Sequence, residues 1–346
     1  MASFVRLAQD DIVLNTEKLS TSTWSNNTNQ LTAVHTASSQ TVFTTATSSG
    51  QFFIQVFNVA TGSTTTTPEV QYNIAYGHKK GSGSLDFTAD TGSFGFSASR
   101  NVYSQYRSLV FGDEESSFTF GDTTPEDIYA INIERARYRQ ALKPSSLNLI
   151  LNTGTNVELR LTDDSITSTG SAVLTNLGRQ FNIVSGSNGV RLGSTVNETV
   201  SGSYGLFYPD AGVILLNPLA LDLPDADNGI ALGTTRNPNT TDKNHEKLLD
   251  AIDGGGSFIV DSEENISSQF YFVRAKNKEF NYSSNPSFID TNGNLNFDSM
   301  VDNPRTFITT IGLYNDANEL LAVAKLSQPV AKDFTKEALI KVKLDY

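Results

Sequence analysis

Cysteine is absent from this 346-residue chain, which excludes disulfides, thiolate metal sites and cysteine nucleophiles together. Tryptophan occurs once and methionine twice, against 21 Phe and 12 Tyr, so aromatic packing has to come from single rings. Positive charge is scarce too: 25 Lys and Arg face 37 Asp and Glu, a formal net charge of −12. Phosphate recognition needs clustered cations, so no nucleic acid and no membrane surface is expected as a partner. No apolar run approaches the roughly 20 residues that cross a bilayer. Residues 1–7 lack a basic stretch followed by an apolar one, so no signal peptide is expected either. The expectation is a soluble, non-secreted chain.

What is present is Ser, Thr, Asn and Gly between short runs of β-branched and aromatic residues. Such runs suit pleated surfaces. Strands are expected at 51–59, 70–76, 147–152, 156–161, 181–184, 189–192, 205–208, 212–216 and 269–275. Three more are expected at 306–314, 319–326 and 338–344, the first two joined by the turn Asn315-Asp316-Ala317-Asn318. A helix signal runs over 123–142, where 128–133 also alternates as a strand and 134–142 is the firmer helical piece, and a second helix is expected over 243–252, which Gly254-Gly255-Gly256 stops. Residues 77–100 read as a Gly-rich arm and 222–243 as a polar loop marking an internal boundary; both are expected to be ordered by partner chains. The fold class is therefore mainly β: antiparallel sandwich- or barrel-like sheets with one or two short helices and long polar loops. Two regions are expected, 1–145 and 146–346, the second ending in a three-strand sheet, with one intertwined unit as the alternative.

Residues that resemble catalytic motifs do not assemble into one. Asp90-Thr91-Gly92 matches half of an aspartic-protease pair, but no second Asp-Thr/Ser-Gly accompanies it and Thr88-Ala89 precede it. His35, His78 and His245 have no metal-ligand spacing. Residues 77–84 lack the Gly-Lys-Ser/Thr ending of a phosphate loop. The acid pairs at 114–115, 163–164 and 263–264 read as solvated turns. Residues 290–298 space oxygens like the start of a calcium loop, but Leu295 and Val301 occupy the Gly and Glu positions; a polar turn is expected, with a weak cation site as the alternative. No enzyme, no cofactor and no metal site is expected.

The candidates for function are interface residues. Glu134-Arg135-Ala136-Arg137-Tyr138-Arg139 is the densest charged segment, and on a helix Arg135 and Arg139 would share a face. Arg and Tyr are enriched in interface hot spots, which singles out Arg135, Arg137, Tyr138 and Arg139 as docking candidates, with a plain solvated helix face as the other reading. The C-terminal strands add Phe307, Ile311, Leu313, Tyr314 and Ile340, with another chain expected to dock on the edge at 306–313 or 339–346.

Several blocks resemble a known family. They are Tyr76-Gly77-His78 with Gly81-Ser82-Gly83-Ser84, Ser104-Gln105-Tyr106-Arg107-Ser108-Leu109-Val110, residues 128–138, Gly205-Leu206-Phe207-Tyr208-Pro209-Asp210, Glu279-Phe280-Asn281-Tyr282-Ser283-Ser284-Asn285-Pro286 and the C-terminal strands. Together they are similar to a virion structural protein, tail- or baseplate-associated, of T4-like myoviruses of marine cyanobacteria and related hosts. The resemblance implies a structural part in a contractile-tailed particle, assembled in the host cytoplasm. It also implies multiple copies per particle, in contact with tail tube, sheath, baseplate or fibre subunits. A receptor- or carbohydrate-binding tail module is the alternative.

Overall fold

The computed structural model describes residues 4–31, 35–36, 53–59, 63–83, 98–154, 158–167, 172–192, 201–236 and 243–345. The chain divides into two compact units, a central one of Leu19–Glu264 and a terminal one joining Met1–Lys18 to Asn265–Tyr346. The position 145/146 falls inside the central unit. The architecture is mainly β, with antiparallel sheets that include a curled half-barrel.

In chain order the strands are β1 (Ile12–Ser22), β2 (His35–Thr36), β3 (Phe53–Phe57) and β4 (Val70–His78), followed by helix α1 (Ala98–Phe111). Next come β5 (Asp127–Ile133), β6 (Ala141–Leu142), β7 (Asn148–Asn152), β8 (Glu158–Asp163), β9 (Val173–Thr175) and β10 (Gly178–Ser187). Then follow β11 (Val190–Arg191), β12 (Gly205–Tyr208), β13 (Val213–Leu216), helix α2 (Pro218–Leu221) and helix α3 (Asn244–Asp253). The last strands are β14 (Ser257–Ile259), β15 (Asp261–Ala275), β16 (Thr306–Tyr314), β17 (Leu320–Lys332) and β18 (Ala338–Asp345).

The central unit is built on one large sheet, ordered β14-β7-β8-β10-β12-β13-β5-β4-β3-β2, with β9 and β11 on β10. Its middle strands are apolar on both faces because both faces are covered. Along β5, Tyr129, Ile131 and Ile133 join one buried cluster with Leu248, Leu249 and Ile252 of α3. The alternate residues Ile128 and Ala130 join a second with Tyr103 and Val110 of α1. At the first cluster's margin Trp24, Tyr72 and Phe258 stack edge to face, with centroids 5.0 Å apart for Trp24–Phe258 and 5.2 Å for Tyr72–Phe258. Phe258 lies on the first strand of the sheet order and Tyr72 on the third strand from its other end, so this trio draws the ends of the curled sheet together.

Within 123–142 the strand alternation of 128–133 is realised as β5, whereas 134–142, expected as a helix, forms a single 3₁₀ turn at Arg135–Arg137 and the short β6. Pairing decides this: β5 is hydrogen-bonded to β4 on one side and β13 on the other, which no local helix signal at Pro125-Glu126 outweighs. Helix α1 was not expected, because Ser and Asn dominate its start; its Val102, Tyr103, Tyr106 and Val110 nevertheless repeat at helical spacing. The 77–100 segment is accordingly the end of β4, a turn and the start of α1 where it is described; residues 84–97, including Asp90-Thr91-Gly92, lie outside the described residues. Residues 222–236 are no boundary either, since Ile230 and Leu232 are buried in the core; 237–242 lie outside the described residues. Helix α3 stands where it was expected.

Gly77 is where α1 meets β4. A Cβ there would lie 2.8 Å from the backbone nitrogen of Tyr103, and a backbone atom cannot move aside as a side-chain tip can. Gly77→Ala is expected to lower stability by about 1–3 kcal/mol, read as a shifted midpoint in urea unfolding.

In the terminal unit the C-terminal strands do not form the expected three-strand sheet. β18 pairs antiparallel with β15 from Ser268↔Asp345 to Ala275↔Ala338, with β1 on the far side of β15. β16 and β17 form a separate two-stranded ribbon. The ladder of the ribbon jumps from Ile308↔Val330 to Thr310↔Lys325, so the residues between Lys325 and Val330, Pro329 among them, bulge out. Lys332 at its base is fully buried, and its ammonium donates to Asn277 O at 2.8 Å, Asn281 Oδ1 at 2.8 Å and Asp333 O at 3.0 Å. All three N–H bonds are thus satisfied by oxygens, which is what allows the charge to be buried.

Candidate functional site

A connected group of titratable side chains lies in the central unit, between β4, β5 and residues 222–236. The Tyr76 hydroxyl donates to Asp127 Oδ2 at 3.0 Å and Arg236 Nε donates to the same oxygen at 2.7 Å. Arg236 Nη1 also meets Asp222 Oδ2 at 2.8 Å, while Asp222 Oδ1 accepts from the backbone N–H of Thr234 at 2.8 Å. Tyr129 and Thr234 share a hydrogen bond of 2.9 Å. Burial raises the Asp127 carboxyl above its ordinary range, opposed by Arg236 and by the Tyr76 hydrogen bond. Burial also raises the Tyr76 and Tyr129 phenols far above theirs. Asp127 and the phenols therefore bond inward, and the group ties residues 222–236 to the sheet. Arg236 Nη2 is buried without a hydrogen-bond partner.

The histidines are not brought together. Burial lowers both His78 and His245 to about 4. His78 Nδ1 accepts from the Lys80 backbone N–H at 3.0 Å, which fixes that nitrogen as unprotonated. His245, on α3, is buried with Nε2 unpartnered. His35 lies in β2. Among the described residues no cluster of three His, Cys, Asp or Glu side chains is placed to hold a metal ion. At 290–298, Asp290 Oδ1 accepts the backbone N–H groups of Asn292 and Asn294, each at 2.8 Å, and Oδ2 accepts from Asn294 Nδ2 at 3.1 Å. The carboxylate thus folds the turn around itself.

Of the predicted interface residues, Arg135, Arg137, Tyr138 and Arg139 form no helical face. Arg135 curls back, donating to Tyr138 O at 2.6 Å with its guanidinium 4.7 Å from the Tyr138 ring centroid. Arg137 pairs with Glu69 at 2.8 Å, Tyr138 is buried, and Arg139 is exposed, its backbone N–H held by Ser262 Oγ. This segment is largely occupied within its own unit.

The C-terminal candidates stand differently. On the ribbon Ile311 is buried and Leu313 half-buried, while Phe307 and Tyr314 are exposed. Ile340 is half-buried on β18. Sequence reasoning missed their neighbours: Leu320, Leu321 at 68% exposure and Val323 at 53%, all on β17. Phe4, also exposed, meets the Tyr314 ring edge to face at 5.0 Å. The available signal was the adjacency of Leu320 and Leu321, which no single strand face can bury.

The terminal unit is short of interior as well. Its buried apolar side chains among the described residues are Ala275, Phe288, Ile311, Ala338 and Val342, and none of them belongs to either large core cluster. A two-stranded ribbon is marginal in water without a surface to pack on. No family profile, curated protein or solved structure matches this chain. Among the described residues, no helix is long and apolar enough to cross a membrane.

Proposed function

We propose that the chain is a structural component of a contractile-tailed phage virion. It acts as a tail or baseplate assembly protein through contacts with other virion proteins, in multiple copies per particle. The observation that carries this reading is the ribbon β16–β17, which exposes Phe307, Tyr314, Leu320, Leu321 and Val323 on a unit with little core of its own. Apolar side chains gathered on so small a unit mark a surface that a partner covers. The blocks that resemble T4-like virion proteins support the same reading, since the C-terminal strands are among them.

The test is incorporation. Wild-type chain is expected in purified particles by quantitative mass spectrometry, and Leu321→Asp with Val323→Asp is expected to reduce it about tenfold or more. The paired variant should unfold at the wild-type temperature, since both positions are exposed. Absence of the wild-type chain from particles overturns the proposal.

One observation favours the alternative carbohydrate-binding reading. Tyr282 and Phe297, at 60% and 55% exposure, flank the polar turn around Asp290, with Tyr282 set against Phe288 at 5.9 Å. Exposed rings beside polar groups are what sugar faces stack on. Glycan-array binding by the isolated chain, abolished by Tyr282→Ala, would establish it.

A further inference from the structure

The two units share the net charge very unequally. The terminal unit has 11 Lys and Arg against 12 Asp and Glu, net −1, whereas the central unit has 14 against 25, net −11. Within the near-neutral terminal unit the register of β15 and β18 gathers cations and rings on one sheet face. Phe270 sits opposite Lys343, Phe272 opposite Lys341 and Arg274 opposite Leu339. Lys341 Nζ lies 3.8 Å from the Phe270 centroid and 5.9 Å from that of Phe272. Lys343 pairs with Asp345 at 3.1 Å, but Lys341 and Arg274, both exposed, have no carboxylate partner among the described residues. Leu339 beside them is 59% exposed. The strip is basic, aromatic and open.

The central unit carries its counterpart. Helix α1 ends at Phe111 with no basic residue in its last turn, and Gly112 leads directly into Asp113-Glu114-Glu115, the only run of three acids in the sequence. Acids there add to the negative end of the helix dipole, an arrangement that needs cations nearby; Arg107, one turn back on α1, acts on Asp113. Asp113 is used locally, accepting from Ser116 and from the Glu115 backbone N–H. Glu114 and Glu115, exposed, have no side-chain partner among the described residues. Leu109 and Phe111 are exposed on the same end of α1. The patch is acidic and apolar where the strip is basic and apolar.

We infer that the strip Phe270, Phe272, Arg274, Lys341 receives the α1 end of a second copy of this chain, in a head-to-tail contact. Because the two surfaces differ, the contact is heterologous and one copy can bind a next one, closing into a ring or continuing as a filament. The inference does not depend on the virion assignment and uses neither the ribbon nor its partner. Charge pairs of this kind weaken as salt shortens the ~8 Å reach of electrostatics at physiological ionic strength.

Analytical ultracentrifugation of the full chain between low and high salt tests it. Mass is expected to rise with concentration at low salt, with association at least tenfold weaker at ~0.5 M salt, where screening is stronger. Arg274→Glu with Lys341→Glu in one variant, and Glu114→Lys with Glu115→Lys in another, are each expected to stay monomeric. Mixing the two variants restores association, because each supplies the surface the other has reversed. A monomer at every concentration and salt, or association unchanged in either charge variant, overturns the inference. So does a mixture that stays monomeric while both variants melt as the wild type does. The incorporation test of the ribbon is independent of these outcomes.

Discussion

Asp127→Ala is expected to destabilise the folded chain by about 2–4 kcal/mol, the largest single-residue effect outside the apolar core. Asp127 is 1% exposed and accepts from Tyr76 and Arg236 at once. Removing it leaves the Tyr76 hydroxyl buried without a partner. It also leaves the Arg236 guanidinium, whose Nη2 is already unpartnered, with Asp222 alone. The effect stays below that of a fully buried pair because the Arg236 side chain is 32% exposed and keeps one carboxylate. Asp127→Asn keeps an oxygen acceptor and is expected to cost only about half as much. Urea unfolding of the three proteins at neutral pH measures both differences. An alanine variant as stable as the wild type would mean that the cluster contributes nothing to holding 222–236 on the sheet.

Acidification is expected to destabilise the chain steeply between pH 6.5 and 4. His78 and His245 are both lowered by burial to about 4, helped by Arg236 and Lys80 at His78 and by Lys243 at His245, and opposed by Glu126 and Glu246 respectively. The unfolded chain takes up protons near 6.5 while the folded one does not, so stability is complete above that pH and is lost as pH falls through the window. His245 contributes on the order of 3 kcal/mol across it, and His78, more open to solvent screening, contributes less. Protonating His78 Nδ1 would also remove the acceptor that holds the Lys80 N–H. Asp127 and Asp163 act with the opposite sign, because burial raises both and the folded state keeps their protons longer as pH rises. Their contribution offsets part of the loss only at the acid end. The paired variant His78→Gln, His245→Gln is expected to flatten the profile between pH 6.5 and 4.5 in denaturant titrations. An unchanged slope would assign the acid sensitivity to other groups.

The β architecture was legible because alternation survives wherever a strand is half-buried, as in 306–314 and 338–344. It was equally legible where both faces are covered, as in Gly205-Leu206-Phe207-Tyr208, since composition there leaves no helical stripe. Local signals failed at two places. Pro125-Glu126-Asp127 looks like a helix start and 134–142 like its body, yet 128–133, whose alternation also reads as a strand, is claimed by β4 and β13 and the helix does not form. At α1 the apolar residues fall at helical spacing, but Ser and Asn weaken the signal and packing on Gly77 has to supply what propensity does not. Pairing partners were not legible. That β18 joins β15 rather than the ribbon depends on contacts some seventy residues apart in the chain, and no local pattern encodes that choice. The candidate surface was half visible for the same reason: Phe307 and Tyr314 stand out in the sequence. The openness of β17 follows only from finding β16 and β17 alone in their sheet.

In the proposed role of this chain as an assembled subunit, its terminal unit would be covered by neighbours. A cryo-electron microscopy map of the intact particle that carries it tests this most directly. Several copies are expected in ordered positions, with the ribbon β16–β17 buried against an adjacent subunit at Phe307, Leu321 and Val323. A map in which the chain is absent, or in which that ribbon faces solvent on every copy, would contradict it.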